Sequence, residues 1–257
     1  HCWFAPTIKA EAVAGTFCER PAPRTNPREE DELASQRLLF DEVRSYAVGH
    51  GCAVTWDGAP PSVIATTFLP FHELLLSNSG GGRSLGMDDL AADAEYRVLD
   101  ELVDGYEAWI DQLLGDTSVA PEHAAARDRH VAEARDAAAR MRDGVRLLQT
   151  DTDVRKAFQL MNLAMAQQRS RQEHHRSGNL GDPPSTAAAL WRPFQVAFIL
   201  LNLRGLSDAK HPDRRLADLL WFPTGGGKTE AYLGIIGVCI LLRRIRHPRS
   251  GGVSVLM

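Results

Sequence analysis

Apolar positions recur along much of this chain at steps of three and four, so the elements they predict are mainly helices. From Asp88 they fall at Leu90, Ala94, Val98, Leu102, Tyr106, Trp109 and Leu113. From Pro121 they fall at Val131, Ala134, Ala138, Met141, Val145 and Leu148. Gly115 to Pro121 interrupts the pattern, which predicts an antiparallel helical hairpin with charged outer faces. The second set has the spacing of a coiled-coil seam, and an extended coiled coil and a plain bundle both stay open. Asp151 or Asp153 can cap a third helix carrying Val154, Ala157, Phe158, Met161, Ala164 and Met165 on one face. That Met-rich face reads as core.

Before residue 88 the pattern is weaker. Pro21 to Pro27 reads as a surface loop. Glu29 to Val48 has a helical pattern, which Gly49 and Gly51 stop. Cys52–Trp56 and Val63–Phe68 are β-rich runs flanking Asp57-Gly58-Ala59-Pro60-Pro61, so a strand pair is expected. Ser77 to Gly86 reads as a flexible linker. Its three glycines precede no Lys-Ser/Thr, so they make no phosphate site.

Gln167 to Pro184 is polar and reads as a domain boundary. Trp191-Arg192-Pro193-Phe194-Gln195 then opens an apolar helix through Leu203, with Pro193 suited to its first turn. Arg204 to Arg215 is a polar loop. Leu216 to Phe222 is apolar without alternation, as the strands of a buried parallel sheet are. An apolar helical stretch follows from Ala231 to Ile245. The expected fold is α/β: the start of a RecA-like P-loop NTPase lobe with a parallel sheet, preceded by a mostly helical domain and a small α+β N-terminal part. The expected divisions are 1–87, 88–176 and 185–257.

Composition narrows the class. The 257 residues are 44% hydrophobic and 24% charged, as in a soluble globular protein. The four cysteines are scattered with no CxxC pair, which argues against zinc or a redox motif and for a reducing cytoplasm. No apolar run reaches membrane-spanning length and no signal peptide is visible, so no membrane partner is expected. The chain starts at His1 without Met and stops in an apolar run, Val253 to Met257, that reads as a strand just begun. It is therefore expected to be a piece of a longer protein. Net charge is −4, but residues 186–257 hold ten Lys/Arg against four Asp/Glu. That basic part suits a polyanion; chance variation over a short window accounts for it equally. Arg243, Arg244, Arg246 and His247 complement the dipole at a helix C-terminus and need no ligand for that role.

The sharpest chemistry lies in Trp221-Phe222-Pro223-Thr224-Gly225-Gly226-Gly227-Lys228-Thr229-Glu230. A strand, a Gly-rich turn, Lys-Thr and a helix together form a phosphate-binding loop. A triphosphate concentrates negative charge, and inward-pointing backbone N–H groups backed by a helix dipole answer it. Gly225, Gly226 and Gly227 let the backbone come close. Lys228 reaches the β- and γ-phosphates, and the Thr229 hydroxyl ligates Mg²⁺. The strict Gly-x-x-x-x-Gly-Lys-Ser/Thr pattern fails at one position, where Phe222 stands in place of the first glycine.

Pro223 to Glu230 resembles motif I of superfamily 2 helicases, and Arg192-Pro193-Phe194-Gln195 resembles their Q motif. The resemblance implies that Gln195 contacts adenine and that Phe194 helps form the base pocket. More narrowly, Ala157-Phe158-Gln159-Leu160-Met161-Asn162 with Ala164 to Gln167, Trp191 to Gln195, and Trp221 to Gly234 are similar to the large helicase subunit of DISARM-type anti-phage systems. The helical hairpin before them fits that family more loosely. The candidate nucleotide-binding residues are thus Phe194, Gln195, Thr224, Gly225, Gly226, Gly227, Lys228, Thr229 and Glu230. Lys228 and Thr229 are the catalytic candidates and Thr229 the metal ligand. The implied cofactors are ATP and Mg²⁺. The implied partners are nucleic acid, DNA before RNA, and a protein of a defence complex. The implied activity is an ATP-driven helicase or translocase. The Asp-Glu box and second-lobe arginines are absent, so this piece alone is expected to bind nucleotide without hydrolysing it. A P-loop switch or scaffold, whose helical part recruits partners, is the competing reading.

Other signals carry less. His72-Glu73 is not followed by a histidine at position 76, so no His-Glu-x-x-His site exists. His174-His175 reads as exposed loop. His123 and His130 could share a helix face but lack a third ligand.

Overall fold

The computed structural model describes residues 7–21, 30–41, 43–68, 85–178, 181, 185–220 and 227–249. The chain divides into two compact units, one of residues 1–75 and 117–129 and one of residues 76–116 and 130–257.

The first unit holds β1 (Lys9–Glu11), α1 (Glu30–Leu39), β2 (Ala53–Trp56) and β3 (Val63–Thr67). Its sheet is antiparallel in the order β1-β3-β2, with Trp56 opposite Ile64 and Ala53 opposite Thr67. The expected strand pair is present, and Asp57 organises its turn. Asp57 Oδ1 accepts from the Ser62 and Val63 backbone N–H groups at 2.9 and 3.0 Å, and Oδ2 accepts from Ser62 Oγ at 2.7 Å. Ser62 first, then Val63, hold the Asp57 carboxyl below its usual range by stabilising the ionised form. The helix expected over 29–48 ends at Leu39. Further on, the Ser45 carbonyl accepts from Arg20 N at 2.9 Å and the Tyr46 ring meets Trp56 edge-on at 5.6 Å. Those partners lie far away in sequence, and helical periodicity cannot register them.

The second unit is mainly helical. It contains β4 (Leu85–Gly86), α2 (Met87–Ala92), α3 (Arg97–Gly115), α4 (Ala124–Thr150) from His130 onward, α5 (Thr152–Arg176), β5 (Leu190–Trp191), α6 (Pro193–Ser207) and α7 (Lys228–Arg246). β4 and β5 pair antiparallel, Leu85 opposite Trp191. The end of the stretch expected as linker is therefore ordered; residues 77–84 lie outside the described residues. The single helix expected from Asp88 is two helices. The break falls at 93–96, where Tyr96 takes a left-handed conformation (φ 56°). Its fully buried ring packs edge-on against Phe158 at 5.8 Å, and Gln159 Nε2 donates to the Asp93 carbonyl at 2.9 Å. Burial of an aromatic ring outweighs the cost of one strained residue.

α3 and α4 form the expected antiparallel pair. Arg142 Nη2 bridges Asp104 at 2.6 Å and Glu107 at 2.7 Å, and Arg135 reaches Asp111 at 3.1 Å. Surface pairs of this kind contribute at most about 1 kcal/mol each, so the apolar seam holds the hairpin. Leu99, Val103, Ile110, Met141, Val145, Leu148, Phe158, Met161, Ile199, Leu200, Leu203 and Val238 belong to one hydrophobic core. α5 continues through Arg176 and buries His174, so the histidine pair expected in an exposed loop lies on a helix. No helix among the described residues is long and apolar enough to cross a membrane.

The fold is α/β with a mostly helical body and small antiparallel sheets. Residues 216–220, expected to begin a parallel sheet, have no regular secondary structure, and Leu219 is 87% exposed. A parallel strand needs a neighbour to take its hydrogen bonds. The run at 253–257, expected to be a strand, lies outside the described residues, as do 221 and 222.

Candidate functional site

The site grows from the first turns of α6 and α7. α6 starts where expected, with Pro193 in its first turn. Two residues on, Gln195 is 2% exposed and its amide is used from both ends. Oε1 accepts from the Arg192 backbone N–H at 2.8 Å, the glutamine half of a capping box. Nε2 donates to the Gly227 carbonyl at 2.8 Å, across 32 positions of sequence.

Gly227 stands immediately before α7, with φ 86° and ψ 29°. A Cβ there would lie 2.7 Å from Gln195 Nε2 and 3.2 Å from Glu230 Oε2, so conformation and space both demand glycine. Lys228, Thr229 and Glu230 form the first turn of α7. Lys228 and Glu230 are half-buried and Thr229 is exposed. The N-cap residue is a glycine and so offers no side-chain cap, and a lysine opens the first turn of the helix. Thr224, Gly225 and Gly226 lie outside the described residues, together with 221–223.

Beneath this turn the three sequence pieces meet. Asn162 on α5 is fully buried. Its Oδ1 accepts from Trp191 Nε1 at 2.7 Å, and its Nδ2 donates to the Phe158 carbonyl at 2.9 Å. Gly234, two turns into α7, faces the same tryptophan. A Cβ there would sit 2.6 Å from Ile199 Cδ1 and 3.3 Å from Trp191 Cη2. Absence of a side chain lets α7 settle on α6 and Trp191. α7 buries Ala231, Gly234, Val238 and Leu242, a stripe at helical spacing.

Two ionic ties complete the frame. Asp151, rather than Asp153, caps α5: its Oδ1 accepts from Asp153 N at 2.9 Å and Val154 N at 3.0 Å. Its Oδ2 takes Arg246 Nη2 at 2.8 Å, and Arg246 Nη1 donates to the Ser207 carbonyl. Arg246 thus joins the ends of α6 and α7 to the start of α5. Arg140 of α4 makes the second tie. Its Nη1 and Nη2 grip the two Asp218 oxygens at 2.7 and 2.8 Å, its Nε reaches Asp213 at 3.2 Å, and Nη2 also donates to the Leu201 carbonyl at 3.3 Å. The hydrogen bond with Asp218 leads in pushing the Arg140 guanidinium above its usual range.

No protein-family model matches the chain. The chain is 34% identical to the DISARM protein DrmA of Bacillus paralicheniformis over 280 aligned positions, which cover 98% of this chain and 24% of DrmA. The similarity supports a DISARM-type relation. It reaches well beyond residues 157–257, on which the resemblance was read, into the hairpin and the small N-terminal part. The chain spans about a quarter of the relative's length.

Of the candidate residues, the structure brings Gln195, Gly227 and Glu230 together, with Lys228 and Thr229 on the same helical turn. Phe194 is half-buried beside Gln195 in sequence. His123 meets Asp41 Oδ1 at 3.3 Å within the first unit, whereas His130 lies in the second. Among the described residues no His, Cys, Asp and Glu group could hold a metal ion. Sequence reasoning passed over Asn162 as a buried acceptor and Arg140 as a tie. A polar residue within the otherwise apolar stripe of α5 is the signal for the first. Arg140 is indistinguishable in sequence from the many arginines of α4.

Proposed function

We propose that this chain carries the nucleotide-binding start of an ATP-driven helicase or translocase acting on nucleic acid, DNA before RNA, in anti-phage defence. The observation that carries the reading is the buried Gln195 amide held on the Gly227 carbonyl at the helix N-terminus that begins Lys228-Thr229. In this reading residues 216–222 open the parallel sheet of a RecA-like lobe, and Thr224 to Gly227 line the phosphates. A helix N-terminus with a lysine in its first turn suits a polyphosphate. Lys228 would hold the terminal phosphates, and the Thr229 hydroxyl would take Mg²⁺. Gln195 has one amide hydrogen beyond the bond to Gly227, and with Phe194 it would face the adenine. Bound MgATP supplies the energy of hydrolysis; the residues of this chain bind and orient it. Similarity to the DISARM protein DrmA supports the defence role and a protein partner in a defence complex.

The test is ATP turnover by the full-length protein with and without single-stranded DNA. Turnover stimulated by DNA and lost in Lys228→Ala is the expected result. The lysine's charge-assisted contact contributes roughly 1.5–3 kcal/mol to binding alone. Wild-type turnover in Lys228→Ala overturns the site, and turnover indifferent to nucleic acid favours the switch or scaffold.

A further inference from the structure

We propose that the cavity between the end of α6, the 3₁₀ turn Pro212–Arg215 and the end of α7 is an anion site that takes the phosphate group of a nucleotide, free or within a single strand. α7 has 19 residues and is about 28 Å long at the usual helical rise, so this cavity lies at the opposite end of the helix from Lys228. It is a separate site, and it stands whether or not residues 223–230 hold ATP.

The cavity has a volume of about 310 Å³, within the roughly 300–1,000 Å³ range of small-molecule sites. Leu206 of α6 and Cys239 and Leu242 of α7 give it an apolar part. Arg214 of the turn, with Arg243, Arg246 and His247 from the end of α7, give it a cationic part. Among the described residues no Asp or Glu lines it. Carboxylates on the surrounding elements are engaged by other groups. Asp151 and Asp153 lie 2.8 and 3.7 Å from Arg246, Asp213 accepts from Arg140 Nε at 3.2 Å, and Asp208 Oδ1 accepts from Lys210 N at 2.9 Å. Arg246, compensated in this way, is part of the frame and not a ligand group.

The helix dipole accounts for basic residues at the end of α7. It does not account for Arg214, which comes from a separate element and lines the same cavity. Arg214 Nη1 donates to the Gly205 carbonyl at 3.0 Å. That bond uses one of the five N–H donors of a guanidinium and orients the rest. The charge reaches the cavity lining: burial pushes the Cys239 thiol up, and Arg214 pulls it the other way. The last carbonyls of α7 disfavour an anion by themselves, and Arg243 in the same turn offsets them. A guanidinium meets phosphate oxygens with paired donors, and the apolar part suits the base or sugar beside that phosphate.

The experiment uses the full-length protein carrying Lys228→Ala, which takes the nucleotide loop out of the readout. The probes are AMP and a single-stranded oligodeoxythymidine. The readout is the rate of Cys239 alkylation by iodoacetamide, followed by mass spectrometry of the peptide that contains it. A bound probe covers the thiol, so alkylation should slow at saturation, and the protection should fade as salt screens the arginines. Arg214→Gln and Arg243→Gln should each raise the apparent Kd roughly tenfold or more. Arg214→Lys, which keeps the charge without the paired donors, should fall between. Ala209→Glu, which adds a carboxylate at an exposed lining position, should abolish protection and tests the site with both arginines in place. Protection by AMP marks a free nucleotide as the ligand, and protection by the oligonucleotide alone marks a strand. Failure of both probes to protect Cys239 overturns the proposal, as does protection that Arg214→Gln or Ala209→Glu leaves unchanged.

Discussion

Replacing Asn162 by leucine isolates the bond that joins α5 to the entry of α6. Asn162 is fully buried, and its Oδ1 is 2.7 Å from the indole nitrogen of Trp191, itself 3% exposed. Leucine keeps the branching and heavy-atom count and removes the acceptor. An indole N–H left buried without a partner costs about 1–3 kcal/mol. The lost Nδ2 bond to Phe158 costs little, because a helix carbonyl of that kind is already taken by its own backbone N–H. The expected destabilisation is therefore about 2 kcal/mol, or roughly 4–8 °C in the unfolding midpoint of a unit this size. Trp191→Phe removes the donor instead and adds the loss of ring contacts. In the double variant neither polar group remains unpaired. A double-mutant cycle by denaturant unfolding should thus give a coupling of about 1–3 kcal/mol between the two positions. Additivity within about 0.5 kcal/mol would show that the bond contributes nothing specific, and would refute the reasoning.

Asp151→Ala should destabilise the chain by about 1–2 kcal/mol, since it removes the cap of α5 and the partner of Arg246 together; thermal unfolding reads this, and an unchanged midpoint contradicts it. Tyr96 gives a pH signature. Burial, and next the charge of Asp93, raise its pKa from 10.0 to about 12, so the folded state keeps the proton that the unfolded state releases. Its contribution to stability is complete below pH 10 and is lost as pH rises toward about 12. Tyrosinate absorbance at alkaline pH should show ionisation above the usual tyrosine range, to which Tyr106, also raised by burial, contributes, and Tyr96→Phe should remove the part near 12.

The sequence by itself determined the long helices: α3, α4 and α5 stand where recurring apolar positions put them, and α6 and α7 where apolar runs read as helical. It also determined the β2–β3 pair and the start of α6 at Pro193, because strand propensity and the missing proline N–H act locally. The candidate nucleotide site was legible as a string of residue types, and Gln195 and Gly227 were both singled out without any means of seeing that they touch. Tertiary structure decided the rest. Tyr96 breaks the helix begun at Met87 because its ring is worth more against Phe158 than in a helical turn. The 29–48 helix stops at Leu39 because the chain beyond it finds partners in Arg20 and Trp56. Asn162 becomes a structural acceptor because α5 passes beneath Trp191. Asp218, in a run apolar enough to read as a strand, pairs with Arg140 on a helix nearly eighty positions earlier. Local preference is set by neighbours within a few residues, whereas each of these outcomes depends on a contact between segments far apart in the chain, and only the folded core brings such segments together.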